Sequence, residues 1–328
     1  MNDPFPQPPL TSNHAGDERR VGIEIEFTNL PGTSIARIVK DALGGTVEWE
    51  TDYEAVVRDT SLGSFIVELD WRWLKEQQRK RNGLSSKSPI ADQTIDLIGI
   101  AAQQLVPWEL VSPPIPLAKL HRLDELVALL HDSGAQGTRK SALYAFGVHF
   151  NPELPSLDAE VILAYLQAYA CLHDWLVAHG EIDLTRRITS YIDGFERDYV
   201  ALIIADDYTP NTQELIDNYL ANNPTRNRSL DMLPLLAHLD EGRVRKVVDD
   251  ARLNPRPTLH YRLPNCDIDR PGWRLEKPWR DWLQVEYLAS DPERLRQART
   301  QYRSNLERLL SPIDRAWAQE CEQWLVDL

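Results

Sequence analysis

The sequence predicts an α+β fold, and three observations predict it. Residues 20–27 (RVGIEIEF) alternate apolar and polar without a break, the pattern of a strand with one buried and one wet face. Short β-rich pieces bounded by Gly and Pro recur up to Asn151. From Leu157 onward the apolar residues return mostly at helical spacing, so strands come early and helices late rather than in strict alternation.

The elements follow in order. Residues 1–18 hold four Pro with Ser, Asn and Gly and read as a flexible tail with little to bury. In the first strand Val21, Ile23, Ile25 and Phe27 face one way, and Gly22, Glu24 and Glu26 the other. Ser34 is a candidate cap for a short helix carrying Ile35, Ile38, Val39 and Ala42, stopped by Gly44-Gly45. Thr46–Tyr53, Ala55–Arg58 and Ser64–Trp71 read as strands, and Lys75–Pro89 as a polar loop. Thr94–Val106 is mixed apolar, and Trp108–Ser112 is a strand cut off by Pro113-Pro114.

Leu117, Leu120, Leu123, Leu126 and Leu130 place a helix over Leu117–His131, and Leu143–Asn151 is a strand. Leu157–His179 is the clearest helix, with Ser156 as candidate cap and Gly180 as stop. Thr212–Ala221, Leu230–Leu239, Pro292–Leu310 and Pro312–Leu328 are further helices, and Thr258–Leu263 is a short strand. No linker or repeat divides the chain, so residues 19–328 are expected to form one domain with a helical portion at about 157–257.

Charge and composition narrow the function classes. Among 328 residues, 36 Lys+Arg against 50 Asp+Glu leave a net charge of −14, which argues against a general nucleic-acid binder or a protein held on anionic membranes. Three scattered cysteines, Cys171, Cys266 and Cys321, form neither a disulfide framework nor a zinc module. The first residues lack the apolar core of a secretory signal, and a cytoplasmic location is the expectation.

The candidate chemistry lies on the polar faces of the strands. Glu24 and Glu26 share one face about 7 Å apart, and such paired carboxylates suit either solvent or a hard cation. Glu48 and Glu50 repeat that spacing, so spacing alone does not decide. Asp59 in RDTSLGSF, Glu109 in WELVSPP, and His149 and Asn151 in GVHFNPE add further donors. Each has an ordinary reading as a surface or hydrogen-bonded group; together they outline an oxygen-rich metal pocket. His260 and Arg262 share the polar face of HYRLPN, and Arg226 and Arg228 lie in PTRNRS before a helix. Arginine there suits a phosphate or carboxylate, or else a plain ion pair. GAQGTRKS departs from a phosphate loop at Arg139, and no G-x-S-x-G, H-E-x-x-H or G-x-G-x-x-G occurs. The ten Trp, among them Trp71, Trp73, Trp273, Trp279 and Trp282, read as packing.

In this order GIEIEF, RDTSLG, ELVSPP, GVHFNP and a late strand with Arg262 resemble the amidoligase family. That family is grouped with the glutamine-synthetase-like carboxylate–amine ligases, which include glutamate–cysteine ligase. The resemblance implies a curved antiparallel sheet forming an active-site funnel with surrounding helices. It implies an ATP-dependent ligase, using Mg2+ or Mn2+, that joins a carboxylate-bearing substrate to an amine through an acyl phosphate. The substrate is a small molecule, peptide or protein side chain, with no nucleic acid or membrane involved. On this reading Glu24, Glu26, Glu109, His149 and His260 are metal ligands, and Asp59 and Arg262 are catalytic. Arg262, Arg228 and Asn151 contact the cofactor. His260 stands where related ligases carry Glu, which opens the reading of a catalytically eroded nucleotide- or partner-binding protein. The paired strand carboxylates also suit a third reading, a metal-dependent hydrolase that uses them with water.

Overall fold

The computed structural model describes residues 5–69, 106–138, 146–182, 192–251, 253–306 and 315–328. The readings at Lys75–Pro89, at residues 94–105 and 143–145, and at Trp71, Trp73 and Arg139 lie outside them, as do residues 307–314 of the last helices.

The alternation at the start of the chain becomes the centre of the sheet. Strand β1 (Arg20–Phe27) buries Val21, Ile23, Ile25 and Phe27 on one face, each worth about 1.5–3 kcal/mol. The other strands are β2 (Thr46–Thr51), β3 (Glu54–Thr60), β4 (Gly63–Leu69), β5 (Trp108–Val111), β6 (Ile115–Pro116), β7 (Val148–Pro152), β8 (Leu230–Asp231) and β9 (His260–Tyr261). They run in the order β2-β3-β4-β5-β1-β7-β9-β8, with β6 pairing β1. Every pairing among these strands is antiparallel, so the observed architecture is mixed α+β around a large, open antiparallel sheet.

Helices cover the apolar face. Helix α1 (Gly32–Leu43) packs on β2, β3 and β4 and against α2 (His121–Asp132). Helix α3 (Ala159–His179) is buried on most sides. It contacts α4 (Arg197–Ile203), α5 (Thr212–Asn222), α7 (Glu276–Ala289), α8 (Pro292–Leu306) and α9 (Arg315–Glu320). Phe150 of β7 packs on Trp279 of α7, and Tyr261 of β9 packs on Trp282 of α7 and Tyr169 of α3. With these rings turned to the helices, His149, Asn151 and His260 occupy the opposite face. Helix α3 has the length and hydropathy of a membrane span, but most of it is buried, as in a core helix.

Several boundaries differ from the sequence reading for local reasons. Helix α1 starts at Gly32 after an extended Pro31, so Ser34 lies inside it. Asp158, not Ser156, precedes α3; the Ser156 hydroxyl bonds Asp158 instead. Leu230 and Asp231 belong to β8, and α6 (Leu233–Arg245) begins after them. Helix α6 kinks at Asp240, whose carboxylate accepts from the Arg243 backbone N–H at 2.9 Å. Helix α7 (Glu276–Ala289) was not among the expected helices, and it accommodates a proline near its start. Pro278 is its third residue, where the backbone N–H has no partner within the helix anyway.

Residues 5–18, expected as a flexible tail, lie along the body. The Trp279 indole donates to the Pro6 carbonyl at 2.9 Å, Gln7 reaches the Leu117 carbonyl, and Ser12 bridges to Glu18. The anchor is Arg19, which is 1% exposed. Its guanidinium meets both oxygens of Glu286 at 3.0 and 2.8 Å and donates to the carbonyls of Leu10 and Glu153. Tyr165 and Trp282 also donate to Glu286, so this buried charge pair is hydrogen-bonded on all sides.

Candidate functional site

Strand register assembles the site. Glu24 lies opposite His149 across β1 and β7, and Glu26 lies opposite Glu109 across β1 and β5. Glu109 in turn opposes Glu68, and Glu68 opposes Glu54. Directly paired residues share a face, so four glutamates form a row across β3, β4, β5 and β1. Like charges placed opposite one another are destabilising, and cations relieve them.

The row ends in a tight group of nitrogen and oxygen donors. His149 Nδ1 is 2.9 Å from Glu24 Oε2, and its Nε2 is 3.7 Å from Glu26 Oε1. His260 Nε2 is 3.6 Å from the same Glu24 oxygen. Glu26 also accepts from the Gly147 N–H at 2.7 Å. Glu24, His149 and His260 form one set whose ligand atoms lie within 4.8 Å of one another; Glu26, Glu109 and His149 form a second. His149 belongs to both.

A divalent cation suits these residues. His260 is 4% exposed, and among the described residues neither ring nitrogen has a hydrogen-bond partner within 3.5 Å, the nearest acceptors being Glu24 Oε2 at 3.6 Å and Asp231 at 3.9 Å. Leaving such a group buried and unsatisfied costs on the order of 1–3 kcal/mol; a ligand to its nitrogen removes that cost. Burial pulls the His260 imidazole down to about 3, against the pull of Glu24, so it is a neutral donor at neutral pH. Burial pushes the Glu24 carboxyl up, but His260 and His149 facing it hold it well below the usual carboxylate range.

Positive charge borders the His260 end. Asn151 Nδ2 donates to Glu24 Oε1 at 3.0 Å, and Asn151 Oδ1 accepts from Arg256 at 2.7 Å. Arg256 is itself 3.7 Å from Glu24. Asp231 Oδ2 lies 3.9 Å from His260 Nδ1 and 3.7 Å from Arg226 Nε. Burial pushes the Asp231 carboxyl up to about 6, while the Leu233 N–H and the charges of Arg226, Arg262 and Arg256 pull the other way. Carboxylates able to hold a cation thus sit beside three arginines that attract anions.

The structure therefore brings together Glu24, Glu26, Glu109, His149 and His260, with Asn151 linking Glu24 to Arg256. Arg262 lies at the edge of this group and donates to the Arg226 carbonyl at 2.7 Å. Arg228 points elsewhere: it holds the Gly194 carbonyl at 2.7 Å and lies 3.6 Å from Glu196. Asp59 is in neither donor set. It is exposed, at φ 56° beside an irregularity in β3. It lies five positions along the strand from the glutamate row, about 16 Å at strand rise. Glu68, Arg256 and Asp231 were not singled out from the sequence. Glu68 carried a usable signal, the alternation of Phe65, Val67 and Leu69 around it; Arg256 and Asp231 carried none.

The model of a protein family described as "Putative amidoligase enzyme" matches residues 17–284, a span that contains every residue of this site. No curated protein and no solved structure matches the chain.

Proposed function

The chain belongs to this amidoligase family, and from that premise we infer that it joins a carboxylate to an amine with ATP and a divalent metal, through an acyl phosphate, on a glutamine-synthetase-like funnel. The observation that supports this most is the pair of donor sets sharing His149 beside Arg256, Arg226 and Arg262. Phosphoryl transfer to a carboxylate requires positioning and charge neutralisation rather than a protein nucleophile. Glu24, His149 and His260 would hold one cation, and Glu26, Glu109 and His149 another. Bound there, a divalent cation supplies charge neutralisation to phosphate oxygens. Asn151 keeps Arg256 and Glu24 in fixed relation, and Arg256 and Arg262 offer charge to the transferring phosphate. The substrate carboxylate oxygen bonds the γ-phosphorus and ADP leaves. The amine then bonds the acyl carbon, giving up a proton as phosphate leaves. Asp59 is assigned to the substrate end of the funnel, with the acid and amine drawn from small molecules, peptides or protein side chains.

Thermal unfolding with a non-hydrolysable ATP analogue, with Mg2+ or Mn2+ and with EDTA, tests this reading. Ligand at about 100 times its Kd adds about 2.7 kcal/mol, roughly 5 °C or more in Tm for a chain of this size. The expected shift requires nucleotide and metal together. A shift with metal alone favours the hydrolase, and no shift in folded protein favours the eroded site; either result overturns the ligase reading.

A further inference from the structure

We propose that His260 makes the Glu24–His149–His260 group a site for a borderline ion of the Zn2+ or Mn2+ class that discriminates against Mg2+, leaving the Glu26–Glu109–His149 group as the oxygen-rich position; this deepens the metal-dependent reading of the same site. The two sets differ in charge and donor type. The first offers two imidazoles and one carboxylate, the second two carboxylates and one imidazole. Magnesium is hard, takes oxygen ligands and retains water, whereas imidazole suits transition ions and zinc.

His260 is a fixed donor rather than a solvated side chain that could swing away. It is 4% exposed, and its ring stands edge-on to His149 at a centroid distance of 5.2 Å. Neither of its nitrogens has a hydrogen-bond partner within 3.5 Å among the described residues. The nearest charges reinforce the bias. Arg256 lies 3.7 Å from Glu24 Oε1 and Asn151 occupies the same oxygen at 3.0 Å, so the only carboxylate of the set is already partly neutralised. An ion held chiefly by charge loses most there, and an ion that forms directional bonds to nitrogen loses least.

The test strips the full-length protein with EDTA and dialyses it against equimolar Mg2+, Mn2+ and Zn2+. Retained metals are counted by mass spectrometry for the parent, His260→Glu and His260→Gln. Transition ions outcompete Mg2+ at most sites, so the change in ratio is the readout. His260→Glu should shift the ratio of Zn2+ plus Mn2+ to Mg2+ toward Mg2+ by about tenfold or more. His260→Gln should lose one equivalent of the transition ion. With Co2+ as probe, the visible absorption band of the parent should change in the first variant and weaken in the second. Near-ultraviolet circular dichroism establishes that each variant is folded, and His260→Gln retains the test if the buried glutamate is not tolerated. An unchanged metal ratio and an unchanged Co2+ band overturn the selectivity while leaving the ligase reading intact. A folded parent that retains no metal overturns both.

Discussion

At the scale of single residues, the site depends on Glu24. It meets His149, His260, Asn151 and Arg256 within 3.7 Å. Glu24→Gln keeps the shape and removes the charge. We expect that variant to unfold near the parent temperature in EDTA and to lose the stabilisation given by nucleotide with metal, measured by the same thermal scan. A full shift in the variant would remove Glu24 from the site. The neighbouring titrations predict a second result. His260, normally near 6.5, is pulled to about 3 by burial. Between those values the unfolded chain binds a proton that the folded chain does not, so this contribution to stability is lost as pH falls. Asp231, normally near 3.8, is pushed to about 6 by burial. Between those values the folded chain binds the extra proton, so this contribution rises as pH falls. Asp231→Asn keeps an acceptor for the Leu233 N–H and removes the second slope. Without metal, its Tm should fall more steeply than the parent's between about pH 6 and 4. Parallel curves would contradict the shifted Asp231.

At the scale of elements, register is the quantity under test. Glu26, Glu109 and Glu68 are direct cross-strand neighbours on β1, β5 and β4, an arrangement of like charges that costs stability. Glu26→Gln should therefore raise the unfolding free energy slightly in EDTA at low salt, by a few tenths of a kcal/mol to about 1 kcal/mol, seen as a small rise in Tm. It should also reduce the stabilisation given by Mn2+. A drop in EDTA with unchanged metal response would mean that the row carries no repulsion. Helix α5 offers a control far from the chemistry. Asn211 accepts from the Glu214 N–H while Glu214 accepts from the Asn211 N–H. Asn211→Ala should cost about 1 kcal/mol without changing metal or nucleotide binding.

At the scale of the whole molecule, the Arg19–Glu286 pair joins the first residues, β1, α3 and α7 through contacts with Leu10, Glu153, Tyr165 and Trp282. Glu286→Ala strands the Arg19 charge in the interior and should cost about 3–5 kcal/mol. Replacing both partners by apolar residues of similar size should cost much less, because no charge is left alone. Equal losses in urea unfolding would show that the pair acts by packing and not by charge. The pair also explains why residues 5–18 lie on the body: proline-rich sequence has little to bury, but Arg19 draws the Leu10 carbonyl inward.

The sequence by itself determined the central strand, the long helix α3 and the polar strand face that carries Glu24, Glu26, His149 and His260, because periodicity and short motifs report which side of an element faces inward. Its order of motifs also pointed to the family that matches residues 17–284. Only the tertiary structure decided which donors meet. Glu109 reaches Glu26, and His149 reaches Glu24, through pairings across 83 and 125 residues of chain. The same register separates Asp59 from the cluster and turns Arg228 toward the Gly194 carbonyl. Arg256 and Asp231 became visible only when β8 and β9 closed beside β7. Alternation fixes the face on which a side chain stands, whereas the partner opposite it depends on register, a long-range property set by packing and turn geometry.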